Sequence, residues 1–198
     1  MTEPSSRPRR GRPPAASAES HAAILDVVYE LLQEKSVRDL TMEEIAKRAK
    51  VGKPTLYKWW PSKAALVMAM FHERIAHTRE VRGVKTVEQS IRMKVRLLIR
   101  EFNGLFGKVV ADLIAEGQSD PEILRELRER HMDPRRAATT AEIEHGKSTG
   151  ELPPDTDPDL LIDAIFGTLY YRLLLRSAPL TESYGQKLVD QVLRGLRA

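Results

Sequence analysis

Cysteine is missing from all 198 residues. Its absence excludes disulfides, thiolate metal sites and cysteine nucleophiles, and it suits a reducing cytosol. Long apolar runs are missing as well, since no segment reaches the roughly 18 residues that span a bilayer. The N-terminus is basic, but no apolar stretch follows it, so it does not read as a secretory signal. A soluble, cytoplasmic protein is expected. No segment alternates apolar and polar residues as a half-buried strand would, and there is no internal repeat.

Catalytic and metal-binding patterns are also lacking. Gly146-Lys147-Ser148 imitates the end of a phosphate-binding loop, but the first glycine of that motif would fall at Ala141 and no strand precedes it. "HERIAH" (72–77) invites a zinc-protease reading. Its histidines, His72 and His77, are five positions apart, roughly 140° out of line on a helix of 3.6 residues per turn. They read as surface or pocket-edge residues. His131 and His145 have no carboxylate or histidine at ligand spacing, and Asp112 and Glu116 read as ordinary solvated charge. Nothing assembles into a nucleophile–base pair, so neither an enzyme nor a cofactor or metal site is expected.

What is present is 41% apolar and 30% charged, enough to build a core. The net charge of +4 is unevenly placed: residues 1–64 hold 12 Lys/Arg against 8 Asp/Glu, and the remainder balances 20 against 20. A basic excess confined to one third of a chain points to a polyanionic partner for that third.

The pattern is helical almost throughout. Residues 1–16, rich in Pro, Ser and Arg, read as a disordered tail. Ile24, Val27, Val28, Leu31 and Leu32 then form one apolar face. Thr41 to Glu44 is a capping box opening a short second helix, and Pro54 suits the first turn of a third that begins near Lys53. Ser62 caps a fourth helix that runs to about Gly83. Thr86 opens a fifth with the stripe Val87, Ile91, Val95, Leu98 and Phe102. A sixth ends at Gly117, and Asp120-Pro121 opens a seventh that Pro134 kinks. Residues 145–158 read as a loop, Asp157-Pro158 opens an eighth helix, and Thr181 opens the last. The expected fold is all-α with about nine helices, comprising a helix-turn-helix unit over 17–62 and a second helical domain over 63–198.

The stretch "AKVGKPTLYKWWPSKAAL" (49–66) is at once turned, aromatic and cationic. Three short helices with a three-residue turn between the second and third match a helix-turn-helix, whose third helix enters the DNA major groove. Val51 and Leu56 would pin that helix, leaving Lys53, Thr55 and Lys58 for the groove or phosphates. Tyr57, Trp59 and Trp60 supply apolar bulk with polar tips. Lys63, in the first turn of the next helix, is disfavoured there by the macrodipole unless a phosphate docks beside it.

"LTMEEIAKRAKVGKPTLYKWWPSKAALV" (40–67) resembles the DNA-binding segment of the TetR (tetracycline repressor) family. The specific likeness covers about residues 20–70, and the rest agrees in length and helix count. The resemblance implies a homodimer that binds a palindromic double-stranded operator and lets go when a small-molecule effector enters the second domain. It places Thr41, Lys53, Pro54, Thr55, Tyr57, Trp59 and Lys63 at family DNA-contact positions. Two residues depart from the family pattern. The turn glycine is Lys50 here, and the serine or threonine opening the recognition helix is Gly52.

In the tail, Arg10-Gly11-Arg12-Pro13 resembles the core of an AT-hook, whose arginines enter narrow minor grooves; an electrostatic arm is the plainer reading. Met68, Phe71, Ile75, Phe102, Phe106 and Leu127 are the expected effector-pocket residues. Helix eight is apolar nearly all round and therefore needs cover on two sides. Ile162, Phe166 and Tyr170, with Val189 and Leu193 of the last helix, are its expected dimer face. The rival readings are an effector-independent architectural DNA-binding dimer and a helical enzyme with a vestigial helix-turn-helix.

Overall fold

The computed structural model describes residues 15–75 and 83–196, without the side chains of residues 15–18 and Ile75. Arg10, Arg12 and His77 lie outside the described residues, as does the Ile75 side chain. If a π turn is counted with the helix it continues, nine helices occur among the described residues and no strand. α1 spans Ala15–Glu34, α2 Met42–Arg48 and α3 Lys53–Trp59. α4 covers Lys63–Met70 and passes into a π turn over Phe71–Ile75. α5 is Val87–Phe102 and α6 Leu105–Gly117. α7 joins Pro121–Leu127, a π turn over Arg128–Met132 and Asp133–Ser148. α8 joins Pro158–Ile162, a π turn over Asp163–Gly167 and Thr168–Leu175. α9 is Glu182–Gly195. None of the helices is long and apolar enough to cross a membrane.

The helix starts follow capping chemistry. Thr41, Ser62, Thr86 and Thr181 each accept a backbone N–H three residues on, while Asp120 and Asp157 accept the N–H two residues on. Each occupies one of the donors that a helix start leaves free. The Thr41 box is half made, because Glu44 receives Lys35 Nζ at 2.6 Å instead of bonding back.

One expectation needs correcting. α7 runs on to Ser148, so residues 145–148 are helix and not loop. Gly146 does not end the helix; it lets it pass close to its neighbours, since a Cβ there would stand 2.6 Å from Val87 Cγ2. The stop comes at Gly150, whose φ of +77° is the left-handed conformation that glycine adopts freely. Lys147 is paired with Glu144 at 3.0 Å in this last turn, which leaves no phosphate loop. Pro134, expected to kink this helix, stands where α7 passes from its π turn back to α geometry. It follows directly on the π turn at Arg128–Met132, whose wider register accommodates the missing N–H and the bulky ring.

α1, α2 and α3 enclose a core of Leu25, Val28, Leu32, Leu40, Ile45 and Leu56, all buried. α4 leads from this unit into the second, where α5, α6, α7, α8 and α9 share one continuous core with it. The turn between α2 and α3 is a Schellman motif: Val51 N–H bonds Ala46 O at 3.0 Å and Lys50 N–H bonds Lys47 O at 3.2 Å. That motif requires the residue after the C-cap to be left-handed, and Lys50, which follows the C-cap Ala49, takes φ +54°.

A non-glycine residue in this conformation costs about 1–2 kcal/mol, part of which glycine returns through its freer unfolded chain. Lys50→Gly should therefore stabilise by about 0.5–1 kcal/mol and raise the melting temperature by roughly 1–4 °C. Lys50→Ala keeps the Cβ and should give no such rise; equal melting temperatures for the two variants would contradict strain at Lys50.

Candidate nucleic-acid interface and the core behind it

The recognition segment is built on Leu56, which is fully buried, and Val51, which packs against the same core. On the outer side of α3, Lys53, Pro54, Tyr57 and Lys58 are exposed, Tyr57 to 51%. Thr55 is half-buried. Thr41, exposed at the start of α2, is engaged in capping Glu44 N–H. Lys53 is ion-paired with Glu43, whose carboxyl it holds below the usual range by hydrogen bonding and charge.

The two tryptophans play different parts from the exposed residues. Trp60 is buried and Trp59 half-buried, and the His21 ring of α1 lies 4.6 Å from one and 4.8 Å from the other. Trp59 therefore braces the C-terminal end of α3 against α1. His21 is a member of this brace that sequence reading missed, because a lone histidine on a helix carries no signal of its own.

Lys63 donates to Arg38 O at 3.1 Å, tying the start of α4 to the turn between α1 and α2. That turn is held from the opposite side by α6. Lys108 Nζ donates to Leu32 O at 2.8 Å and Lys35 O at 3.0 Å, and Asp112 accepts the Val37 N–H at 3.0 Å. A cation on the free carbonyls of a helix end, and a carboxylate on an otherwise unused amide, each satisfy groups that a helix terminus leaves bare. Asp112, read from sequence as solvated charge, is thus one half of a clasp between the two domains.

Behind the clasp lies an aromatic cluster. Met68, Phe71, Phe102, Phe106 and Leu127, the expected pocket residues, are all buried in one core cluster, and the phenylalanine rings are in contact. Phe71 and Phe106 lie 4.8 Å apart, Phe102 and Phe106 6.0 Å, and Phe102 meets Tyr170 at 4.9 Å. His131, for which the sequence offered no ligand partner, fits edge-on to Phe71 at 4.8 Å and is only 4% exposed. Burial, then Arg135 and His72, push its pKa down to about 3. His72 is lowered too, chiefly by burial and by Arg130. Burial pushes the Tyr170 hydroxyl up to about 12. A groove of about 150 Å³ lies elsewhere, between α5 and α9, and is lined by Arg92, Val95, Arg96 and Glu182 among others. Among the described residues no group of three or more potential ligands is placed to hold a metal.

The expected dimer residues divide. Ile162, Val189 and Leu193 are buried in the protomer's own core, and Phe166 and Tyr170 pack against it. Their apolar surface is already spent, because α9 lies along α5 and against the π turn of α8. The exposed apolar residues of α8 are on its other side: Leu160 (69%), Tyr171 (57%), Leu174 and Leu175. Gly167 lies exposed between Leu160 and Tyr171, and a Cβ there would meet nothing within 4 Å.

Comparison with known proteins agrees with this geometry. Residues 24–70 match the family model for bacterial regulatory proteins of the tetR family, and residues 85–192 match a tetracyclin repressor-like C-terminal domain. The HTH-type transcriptional regulator YdeS of Bacillus subtilis is 36% identical over 190 residues, covering 96% of this chain and 95% of that protein. The crystal structure of the TetR-family regulator SCO0332 superposes with a TM-score of 0.68 at 29% identity, over 89% of this chain and 98% of that one. The regulator FadR from Bacillus subtilis, solved in complex with stearoyl-CoA, shares the fold with a TM-score of 0.72 at 18% identity, over 88% and 98%.

The buried His131 ring makes stability depend on pH. Its folded pKa lies below the unfolded value of about 6.5, so the unfolded chain takes up the proton first as pH falls. Its contribution is complete above pH 6.5 and is lost progressively towards pH 3. Between pH 7.5 and 5 the loss should be about 2 kcal/mol, read from urea midpoints. His131→Leu should flatten that slope; an equally steep slope in the variant would refute a neutral buried His131.

Proposed function

The chain belongs to the TetR family of bacterial transcription regulators, and from that premise we propose that it is a homodimeric repressor of a palindromic operator, released by a small-molecule effector. In this reading residues 17–62 are the DNA-binding domain and 63–198 the effector-binding and dimerisation domain. The observation that carries it is the recognition helix itself. α3 buries Leu56 and turns Lys53, Pro54, Tyr57 and Lys58 outward. All the excess positive charge of the chain lies in residues 1–64.

Tyr57 and Lys58 are the leading candidates for the groove, Thr55 for its edge, and Lys53 and Lys63 for phosphates. Thr41 and Pro54 approach the backbone, and Trp59 positions the helix. Arg10 and Arg12 extend the basic surface along the DNA. For the dimer, the exposed side of α8 supplies Leu160, Tyr171, Leu174 and Leu175, with Gly167 as the point of close approach between two copies. A two-fold interface of this kind sets two recognition helices about 34 Å apart, one turn of DNA. The effector would enter the region of Met68, Phe71, Ile75, Phe102, Phe106 and Leu127. FadR, bound to stearoyl-CoA, is a precedent within the fold for a small-molecule ligand.

The close packing of these rings favours the rival reading, an architectural dimer without effector. Against it stand His72 Nε2 and His131 Nε2, buried beside the same rings without a hydrogen-bond partner, an arrangement that costs a purely structural core stability.

The test is binding of the purified protein to duplex fragments flanking its own gene, at two salt concentrations and with competitor DNA. Competitor-resistant binding at one palindrome with a Kd on the order of 10⁻⁸ M is expected. Tyr57→Ala should weaken it roughly 10-fold or more, with the dimer intact by sedimentation. Binding that is weak, sequence-blind and erased by salt would overturn the reading.

A further inference from the structure

The half-buried His72 stands beside the buried His131 in the second domain, and each leaves a ring nitrogen unused. Their ring centroids are 6.0 Å apart, and Nε2 of both is buried without a hydrogen-bond partner. A buried polar atom left unpaired is costly and rare enough in native proteins to require a reason. Both residues belong to π turns, His72 to that of α4 and His131 to that of α7. Such turns concentrate at functional sites, because the extra residue redirects a side chain that a regular helix would carry elsewhere. Two helices thus depart from regular geometry at the two unpartnered rings.

The surroundings select the ligand. Phe71 and Phe106 supply aromatic walls at 4.8 Å and 5.3 Å from the His131 ring. The nearby charges are already paired: Arg130 with Glu126 at 3.1 Å and Arg135 with Glu101 at 3.4 Å. Glu126 Oε2 is also buried without a hydrogen bond, but of these groups the imidazoles are the ones that can donate one. The field they sit in is positive on balance. Arg135 acts on both rings and Arg130 on His72, while Glu126 opposes them at His72 alone. A ligand cation is repelled there, and a neutral hydroxyl gains nothing from that field. A carboxylate accepts from two imidazole N–H groups at once and gains from it.

We propose that His72 and His131 are the polar anchor of the effector site, and that they take a small aromatic carboxylate whose ring lies against Phe71 and Phe106. This rests on reading the second domain as effector-binding. A molecule that parts these rings moves α4 and α7 and, through Phe106, the α6 helix that carries Lys108 and Asp112.

The experiment compares benzoate, benzyl alcohol and benzylamine, each at about 10 mM, by thermal unfolding of the full chain. Benzoate should raise the melting temperature by about 2 °C or more through preferential binding to the folded state, and the other two should not. His131→Leu should melt higher than the wild type without ligand, because it removes an unpaired buried polar atom, and should lose the benzoate shift. His72→Leu should lose that shift too. A purely structural histidine would instead give a less stable His131→Leu. A shift from benzyl alcohol equal to that from benzoate overturns the carboxylate assignment. A benzoate shift surviving in both variants overturns the anchor, and no shift from any probe overturns the proposal as a whole. The effector reading itself fails only if, in addition, no compound from a metabolite panel loosens the protein from its operator.

Discussion

Two charged side chains of α6 hold the end of α1. Lys108 covers the last carbonyls of that helix, and Asp112 takes the amide of Val37 in the turn that follows. The three-helix unit is small, and a unit of that size buries too little surface to be rigid by itself. Its orientation is set by what grips it. With Lys63 on Arg38 O from the α4 side, the turn between α1 and α2 is fixed on two flanks. Thr41, which caps α2, lies next in the chain. The position of α2, and through the Schellman turn that of α3, therefore depends on α6.

The same α6 links this grip to the aromatic cluster. Phe106 precedes Lys108 by two residues and touches Phe71, Phe102 and His131. Packed cores rearrange between discrete arrangements and do not deform smoothly, so a ligand that parts these rings has a mechanical route to the recognition helix. Some of the features that cost stability lie along this route: a left-handed Lys50, two unpartnered histidine nitrogens and two π turns, while the left-handed Arg176 and the π turn of α8 lie off it. Local departures from consistency of this kind concentrate where a fold performs its function.

Much of the fold was legible in the sequence because its signals are local. Thr41, Ser62, Thr86, Asp120, Asp157 and Thr181 cap the helices that their spacing announced, and the stripe from Val87 to Phe102 is the buried side of α5. Lys50 in a glycine position was readable as left-handed. What was illegible depends on neighbours distant in sequence. Gly146 looks like a helix stop until Val87 is seen against it. Lys108 and Asp112 look like solvated charge because their partners are more than 70 residues away. Helix α8 is apolar on two sides, and only the placement of α9 decides which side stays open. The π turns left no trace in the periodicity, so His72 and His131 were not recognised as neighbours.

On this reading α6 fixes the recognition helices in place. The absence of cysteine makes it directly measurable, because Lys58→Cys carries a single nitroxide per protomer on the exposed side of α3. Double electron–electron resonance on the labelled protein, as the proposed dimer, should then give one narrow distance distribution. Adding Asp112→Leu, which cannot accept the Val37 amide, should broaden that distribution markedly, and adding Asp112→Asn, which still can, should leave it narrow. An equally narrow and unshifted distribution with Asp112→Leu would mean that the helix-turn-helix unit holds its place without the clasp.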